Sequence, residues 1–233
     1  AEKYNIRFVA IDETPAETTT TATTTAPEIT TTTTAEEEEI TSVEINETNF
    51  PDYLLRYYIT KYIDTDTDNI LSAEEIADVT KLNISVGGIR ELTGIHYFKN
   101  LEDLDCSGNK LTTIDISNFT ALTRLDCGEN KLTSLDVSNN SALETLWCKA
   151  NQLTSLDLSN NTALAYLSCS NNQLTSLDLS NNTALAYLYC YDNQLTSLDV
   201  SNNTALTELY LDDNKLTSLD LSTNTALTGL DCG

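Results

Sequence analysis

Residues 64 to 75 hold the densest set of metal-competent groups in this chain. Asp64, Asp66 and Asp68 alternate with Thr65 and Thr67, then Asn69-Ile70-Leu71 lead into Ser72-Ala73-Glu74-Glu75. In a twelve-residue turn around a hard cation, carboxylates at the first, third and fifth positions point inward. The seventh offers a backbone carbonyl, here that of Ile70, and the ninth and twelfth supply Ser72 and Glu75. Other reactive side chains are poorly placed for chemistry. The single histidine, His96, has no nucleophile or acid beside it in the sequence, the serines and threonines recur at fixed intervals, and no glycine-rich phosphate loop occurs. The expectation is a protein that is not an enzyme.

The twelve-residue segment resembles an EF-hand loop. It departs at the sixth position, normally glycine, where Asn69 stands; asparagine tolerates the left-handed backbone needed there better than other non-glycine residues. The resemblance implies one Ca2+ held by Asp64, Asp66, Asp68, Ile70, Ser72 and Glu75. EF-hand loops usually pair, and this sequence has one, so a structural ion that staples a helical cap to its neighbour is expected rather than a sensor. The competing reading is an acidic helix-loop-helix that holds no ion.

The flanking elements fit either reading. Pro51 suits a first helical position, and Leu54, Leu55, Tyr58, Ile59 and Tyr62 fall on one face at the helical period, predicting a helix to about Ile63. Ser72 and Glu75 read as a capping box for a second helix through Ile76 and Val79. Residues 43–78 are thus expected to form a helix-calcium loop-helix cap. Upstream, Tyr4 to Ile11 alternates like a strand, and residues 1–13 read as the remnant of a preceding region. Residues 14–42, rich in threonine, have few side chains able to build a core and read as a disordered linker, sugar-bearing or plain. With no leader at Ala1 and a stop partway through a repeat at Gly233, the chain is expected to be a piece of a longer protein.

From Leu101 the sequence repeats every 21 residues, with copies beginning at Leu122, Leu143, Leu164, Leu185, Leu206 and, in part, Leu227. A diverged copy precedes them, from Val79 through Leu82, Ile84, Ile89 and Leu92. One such coil cannot enclose its own leucines, so coils must stack and bury them against neighbours. The L-x-x-L-x-C part predicts one short parallel strand per coil, and the Leu-Asp-Leu part a second extended stretch. Asn109, Asn130, Asn151, Asn172, Asn193 and Asn214 are expected to form an internal ladder that satisfies backbone groups at the turns. Cys106, Cys127, Cys148, Cys169, Cys190 and Cys232 share one inward position, which is Leu211 in the sixth copy. A position that accepts leucine asks for a medium apolar side chain, so buried reduced thiols are expected, with inter-coil disulfides as the alternative.

This pattern, from Val79 to Gly233, resembles the bacterial leucine-rich repeats of 21-residue, cysteine-containing type, internalin-like surface proteins among them. The resemblance implies an α/β-type, mainly β solenoid: a right-handed leucine-rich-repeat array over 79–233 behind the short helix-loop-helix cap. It also implies secretion or surface display and a sheet face that recognises a protein.

The outward strand positions vary while the Leu, Cys and Asn positions barely change. Trp147, Tyr166, Tyr187, Tyr189, Tyr191 and Tyr210 gather across the third to sixth copies as a candidate partner-binding strip. Aromatic packing that only stabilises the sheet is the competing reading. Three functions stay open: protein recognition, glycan binding by ring stacking, and a structural spacer. A formal charge of −24, from 12 basic against 36 acidic residues, argues against nucleic acid and anionic lipid as partners. No run approaches the roughly 18 apolar residues of a spanning helix. Asp115, Asp136, Asp157, Asp178, Asp199 and Asp220 form an outward row expected to be solvated or bonded to nearby hydroxyls.

Overall fold

A computed structural model describes residues 41–85 and 87–233. The strand expected over 1–13 and nearly all of the threonine-rich stretch 14–42 lie outside the described residues. Ser42, assigned to that linker, instead opens strand β1 (Ser42–Glu44), which pairs antiparallel with β2 (Ile70–Ser72) so that Val43 faces Leu71. Neither three-residue strand was anticipated. Both central residues are buried, so the pair forms where two isolated apolar side chains meet the core.

Helix α1 (Tyr53–Tyr62) starts two residues later than Pro51 suggests. Asp52 is its N-cap, with Oδ1 accepting from the Leu54 and Leu55 amides at 2.9 and 3.1 Å. A carboxylate that satisfies two orphan amides fixes the helix start, and proline is left outside it. Helix α2 (Ala73–Asp78) opens on Ser72 with the expected reciprocal Ser72–Glu75 capping box. Leu55, Tyr58 and Ile59 of α1 are buried in the same apolar cluster as the coils that follow.

Eight parallel strands stack in sequence order: β3 (Lys81–Asn83), β4 (Asp103–Asp105), β5 (Arg124–Asp126), β6 (Thr145–Trp147), β7 (Tyr166–Ser168), β8 (Tyr187–Tyr189), β9 (Glu208–Tyr210) and β10 (Gly229–Asp231). Register is uniform, Leu104 opposite Leu125, Leu125 opposite Leu146, and onward. A one-residue slip would turn every central leucine outward, which is why identical spacing enforces it. In a typical coil Leu143, Leu146, Cys148, Leu153, Leu156 and Leu158 all point inward and are buried, at roughly 2 kcal/mol of transfer free energy for each leucine.

The Leu-Asp-Leu stretches, expected to be extended, carry no strand pairing among the described residues. Asparagine side chains hold this return side of each coil instead. Alongside the expected ladder runs a second one that the repeat pattern did not single out: Asn140, Asn161, Asn182, Asn203 and Asn224, all buried. Asn161 donates from Nδ2 to the carbonyls of Val137 and Asn140 at 3.1 and 2.9 Å, so each amide ties its coil to the one before. The invariant second Asn of Ser-Asn-Asn was its signal; Phe119 fills the position in the first regular coil.

Candidate functional site

The acidic loop joins α1 to β2. Asp64, Asp66 and Asp68 bring one carboxylate oxygen each to within 4.8 Å of one another. Asp64 is only 3% exposed, and its two oxygens accept from the Thr67 and Asn69 amides at 2.8 and 3.0 Å. Asn69 takes the left-handed backbone anticipated for it (φ 64°), and so does β-branched Thr67 (φ 63°), which nothing in the sequence signalled. Although a backbone bond from Asp68 pulls the Asp66 carboxyl down, burial and the charges of Asp68, Glu75 and Asp64 leave it above its usual range. Among the described residues no lysine or arginine pairs with the three carboxylates. A buried carboxylate converging on two others without a counter-charge fits a hard cation. Glu75 stands apart from the trio: Oε1 accepts from the Thr65 hydroxyl and Oε2 from the Ser72 amide and hydroxyl. Burial works against its charge, but these bonds prevail and lower its carboxyl to about 2. Ser72 serves as the α2 cap, and Ile70 lies in β2, 39% exposed.

The cysteine column is a row of free thiols. Cys106, Cys127, Cys148, Cys169 and Cys190 are buried in register, and burial pushes the first three thiols well above their ordinary value; for Cys169 the bond to Cys190 adds to burial as the leading cause. Such thiols are poor nucleophiles. Cys232, grouped with the others by spacing, is exposed, because no coil among the described residues stacks on its far side. The asparagine beside the column does the bonding: Asn151 Nδ2 donates to the carbonyls of Cys127, Cys148 and Lys149 at 3.0 to 3.3 Å, and its Oδ1 accepts from the Leu132 amide. That reach requires one left-handed residue per coil, such as Glu129 (φ 56°), Ala150 (φ 53°) or Asn171 (φ 55°).

The sheet face divides into two halves. Over β4 to β6 it is charged: Arg124 Nη1 meets Asp103 at 2.7 Å, and its guanidinium lies 4.3 Å from the Trp147 ring centroid. Tyr166 meets Trp147 in a T-shaped contact, with ring centroids 5.6 Å apart. The indole is therefore occupied by its neighbours and is a poor platform for anything else. Over β7 and β8 the face presents Ala165, Tyr166, Ala186, Tyr187, Tyr189 and Tyr191, none of them charged, with Ser168 and Ser170 buried beneath them. Tyr166 stacks on both Tyr187 and Tyr189 at 5.4 Å, and Tyr189 on Tyr210 at 5.0 Å. The Tyr189 hydroxyl donates to Glu208. Tyr187 is the most exposed of the group, at 38%. Tyr191, half-buried, sits beyond β8 between Ser170 and Asp212 in neighbouring coils. The structure thus joins four of the six expected residues in one tyrosine cluster, leaves Tyr191 outside its ring contacts, and ties Trp147 to the charged half as well as to Tyr166.

The Asp row of the return side is committed as expected. Asp157 Oδ1 accepts from the Ser159 amide at 2.9 Å, and Asp136, Asp178, Asp199 and Asp220 accept equivalently. Bonds from the following serine hold these carboxyls below their usual range.

A Leucine Rich Repeat family profile matches residues 100–122, about one coil. The fold is that of leucine-rich-repeat solenoids. An LVIVD repeat profile matches residues 185–210, a segment that keeps the register of the coils on either side, with Leu188 paired to Leu167 and Leu209. Among solved structures the solenoid is similar to the functional domain of InlJ from Listeria monocytogenes, which includes a cysteine ladder, with 36% identity, a TM-score of 0.71, and coverage of 82% of this chain and 47% of that one. It is also similar to the internalin InlF of the same organism (27% identity, TM-score 0.54, coverage 82% and 71%) and to a leucine-rich-repeat protein of Leptospira interrogans (25%, 0.63, 67% and 43%). The chain spans about half the length of the InlJ domain it matches. No curated protein sequence matches significantly. No described helix is long and apolar enough to cross a membrane.

Proposed function

We propose that this solenoid is a non-catalytic extracellular module, secreted or displayed on a bacterial surface, that recognises a protein through its sheet face. One observation carries the reading. In a chain of charge −24, two adjacent coils present an uncharged tyrosine-and-alanine patch on the sheet, bordered by Glu144 and Lys149 on one side and Glu208 and Asp212 on the other. An aromatic centre inside a charged rim is the anatomy of a recognition surface. Similarity to internalin InlF agrees with it. Binding of the chain to a protein array, lost in Tyr187→Asp and kept in Asp178→Asn, is the expected result. Signals confined to a glycan array would transfer the function to carbohydrate, and silence on both would leave a spacer.

The glycan reading is weaker because ring stacking on a sugar needs a free aromatic face. Trp147 is covered by Arg124, and Tyr166 and Tyr189 each stack on two other rings, so among the tyrosines of this strip only Tyr187, Tyr191 and Tyr210 touch at most one ring.

The acidic loop is proposed to bind one structural Ca2+ through Asp64, Asp66 and Asp68, with Ile70, Ser72 and Glu75 completing the set. When bound, the ion supplies a counter-charge to the buried Asp64. Glu75, engaged by Thr65 and Ser72, is the ligand costliest to recruit. The loop lies between α1 and β2, whose apolar residues share the solenoid core, and Asp52 Oδ2 accepts from the Arg90 amide of the first coil at 2.8 Å. An ion there therefore stabilises a cap. Saturating Ca2+ at about a hundred times its dissociation constant stabilises the fold by about 2.7 kcal/mol, which chelator removes. A melting temperature indifferent to chelator would reject the site.

A further inference from the structure

One half of the sheet face shows how this surface holds a cation. The Arg124 guanidinium lies between the Trp147 ring, 4.3 Å from its centroid, and Asp103, 2.7 Å away. A carboxylate on β4 and an aromatic face on β6 make a cation site, which the chain fills with its own arginine from the strand between them. Aromatic rings and carboxylates come together again further along the sheet, over β8 to β10. Tyr189 and Tyr210 stack, the Tyr189 hydroxyl reaches Glu208, and Asp231 follows Tyr210 in the next strand along the same outward row.

Here no cation completes the arrangement. Beyond Ala150 the sequence has a single basic residue, Lys215, and its ammonium bonds Gln194 at 3.3 Å. The parallel extends to the row itself. Asp103 is followed in the next strand by Arg124, whereas Glu208 is followed by Gly229. A Cβ at Gly229 would lie 3.3 Å from both the Glu208 Cγ and the Tyr210 hydroxyl, so the Glu208 side chain and the Tyr210 hydroxyl meet over this glycine and leave no room there for a side chain of the next strand.

We propose that Tyr187, Tyr210, Glu208 and Asp231 receive an arginine or lysine side chain from the protein partner, reproducing in trans what Arg124 does in cis. The inference rests on the sheet face being a protein-binding surface and adds the chemistry of what it binds. Arginine is favoured over lysine, because a planar guanidinium stacks on a ring while its edge bonds a carboxylate. The charge of −24 steers a basic segment toward the chain, and the aromatic–carboxylate pair gives it a place to stop.

The test uses the full chain and two synthetic peptides identical except that arginine is replaced by citrulline, its neutral near-isostere. Titration calorimetry at physiological salt should give the arginine peptide roughly tenfold or greater advantage. Glu208→Gln and Tyr210→Leu should each remove most of that advantage, Tyr210→Phe should keep it, and Asp178→Asn on the return side should change nothing. Unchanged thermal melting of the variants separates lost binding from lost folding. Equal affinity for the two peptides, or no binding of the arginine peptide, overturns the cation site. So does an Asp178→Asn loss as large as that of Glu208→Gln, which would mean diffuse attraction to an acidic chain. A partner bound through Tyr187 yet indifferent to citrulline would preserve the protein-binding reading and end this one.

Discussion

On the return side of one coil the chain reads Thr154-Ser155-Leu156-Asp157-Leu158-Ser159-Asn160-Asn161, and the next coil repeats it from Thr175 without a change. The strands of the same two coils read Thr145-Leu146-Trp147 and Tyr166-Leu167-Ser168, alike only at the inward leucine. The difference lies in what each side chain bonds. Much of the return side is engaged inside the array: Asp157 holds the Ser159 amide, Asn160 reaches Ser138, and Asn161 reaches Val137 and Asn140. On the sheet the backbone is satisfied by the neighbouring strands, so the outward side chains are free to vary. Constancy marks the scaffold here, and variation marks the surface available for a partner.

The comparison breaks most severely if the asparagine ladders prove dispensable. Asn151→Ala removes three donated bonds and one accepted bond from a buried site, leaving the Leu132 amide unpaired, and should cost about 2–4 kcal/mol in urea unfolding. A midpoint unchanged from the parent would show that the stacked leucines alone hold the coils.

A smaller effect comes from the charged half of the sheet. Burial raises the Asp126 carboxyl to about 6, opposed by the Gly128 amide and Arg124 and reinforced by Asp105. The folded state therefore binds this proton more tightly than the unfolded chain, where the group titrates near ~3.9. The charged form is disfavoured at neutral pH, and stability from this residue grows as pH falls from about 6 toward about 4. Asp126→Asn should raise the melting temperature at neutral pH by a few degrees, roughly, and by much less near pH ~4. A destabilised variant at neutral pH would mean that the carboxylate is needed charged.

In the cysteine column Cys148→Leu should be tolerated to within about 1.5 kcal/mol, since Leu211 fills the same position with 1% exposure. The smallest stability effect belongs to the tyrosine patch. Tyr187→Ala loses one stacked partner at 5.4 Å and should shift stability by no more than about 1 kcal/mol while removing partner binding. A larger loss of stability, with binding kept, would make the aromatic strip part of the scaffold after all.

Much of the solenoid was legible because one rule is repeated. Leu101, Leu104 and Cys106 recur every 21 residues, and a buried position that recurs stacks on itself, so strand, register and first asparagine ladder follow together. The second ladder was equally periodic but hidden, because Asn161 beside Asn160 and Thr162 looks like turn sequence and nothing local reveals that it is buried. At the N-terminal end there is no repetition to read. The helix start at Asp52 and the pairing of β1 with β2 depend on a carboxylate and on two apolar residues, Val43 and Leu71, far apart in the sequence.

The sequence by itself determined the stack, since a fixed period leaves one way to bury every leucine. It also placed the acidic loop and the tyrosine columns. Only the tertiary structure decided which of those groups remain free. Arg124 covers Trp147, Tyr166 and Tyr210 stack on Tyr189, and Glu75 turns to Thr65 and Ser72. The physical reason is that burial follows from a residue's own type and period. The partner of a ring or a carboxylate is instead chosen among neighbours brought close by folding, often a full coil away, in competition with every other group that reaches the same place.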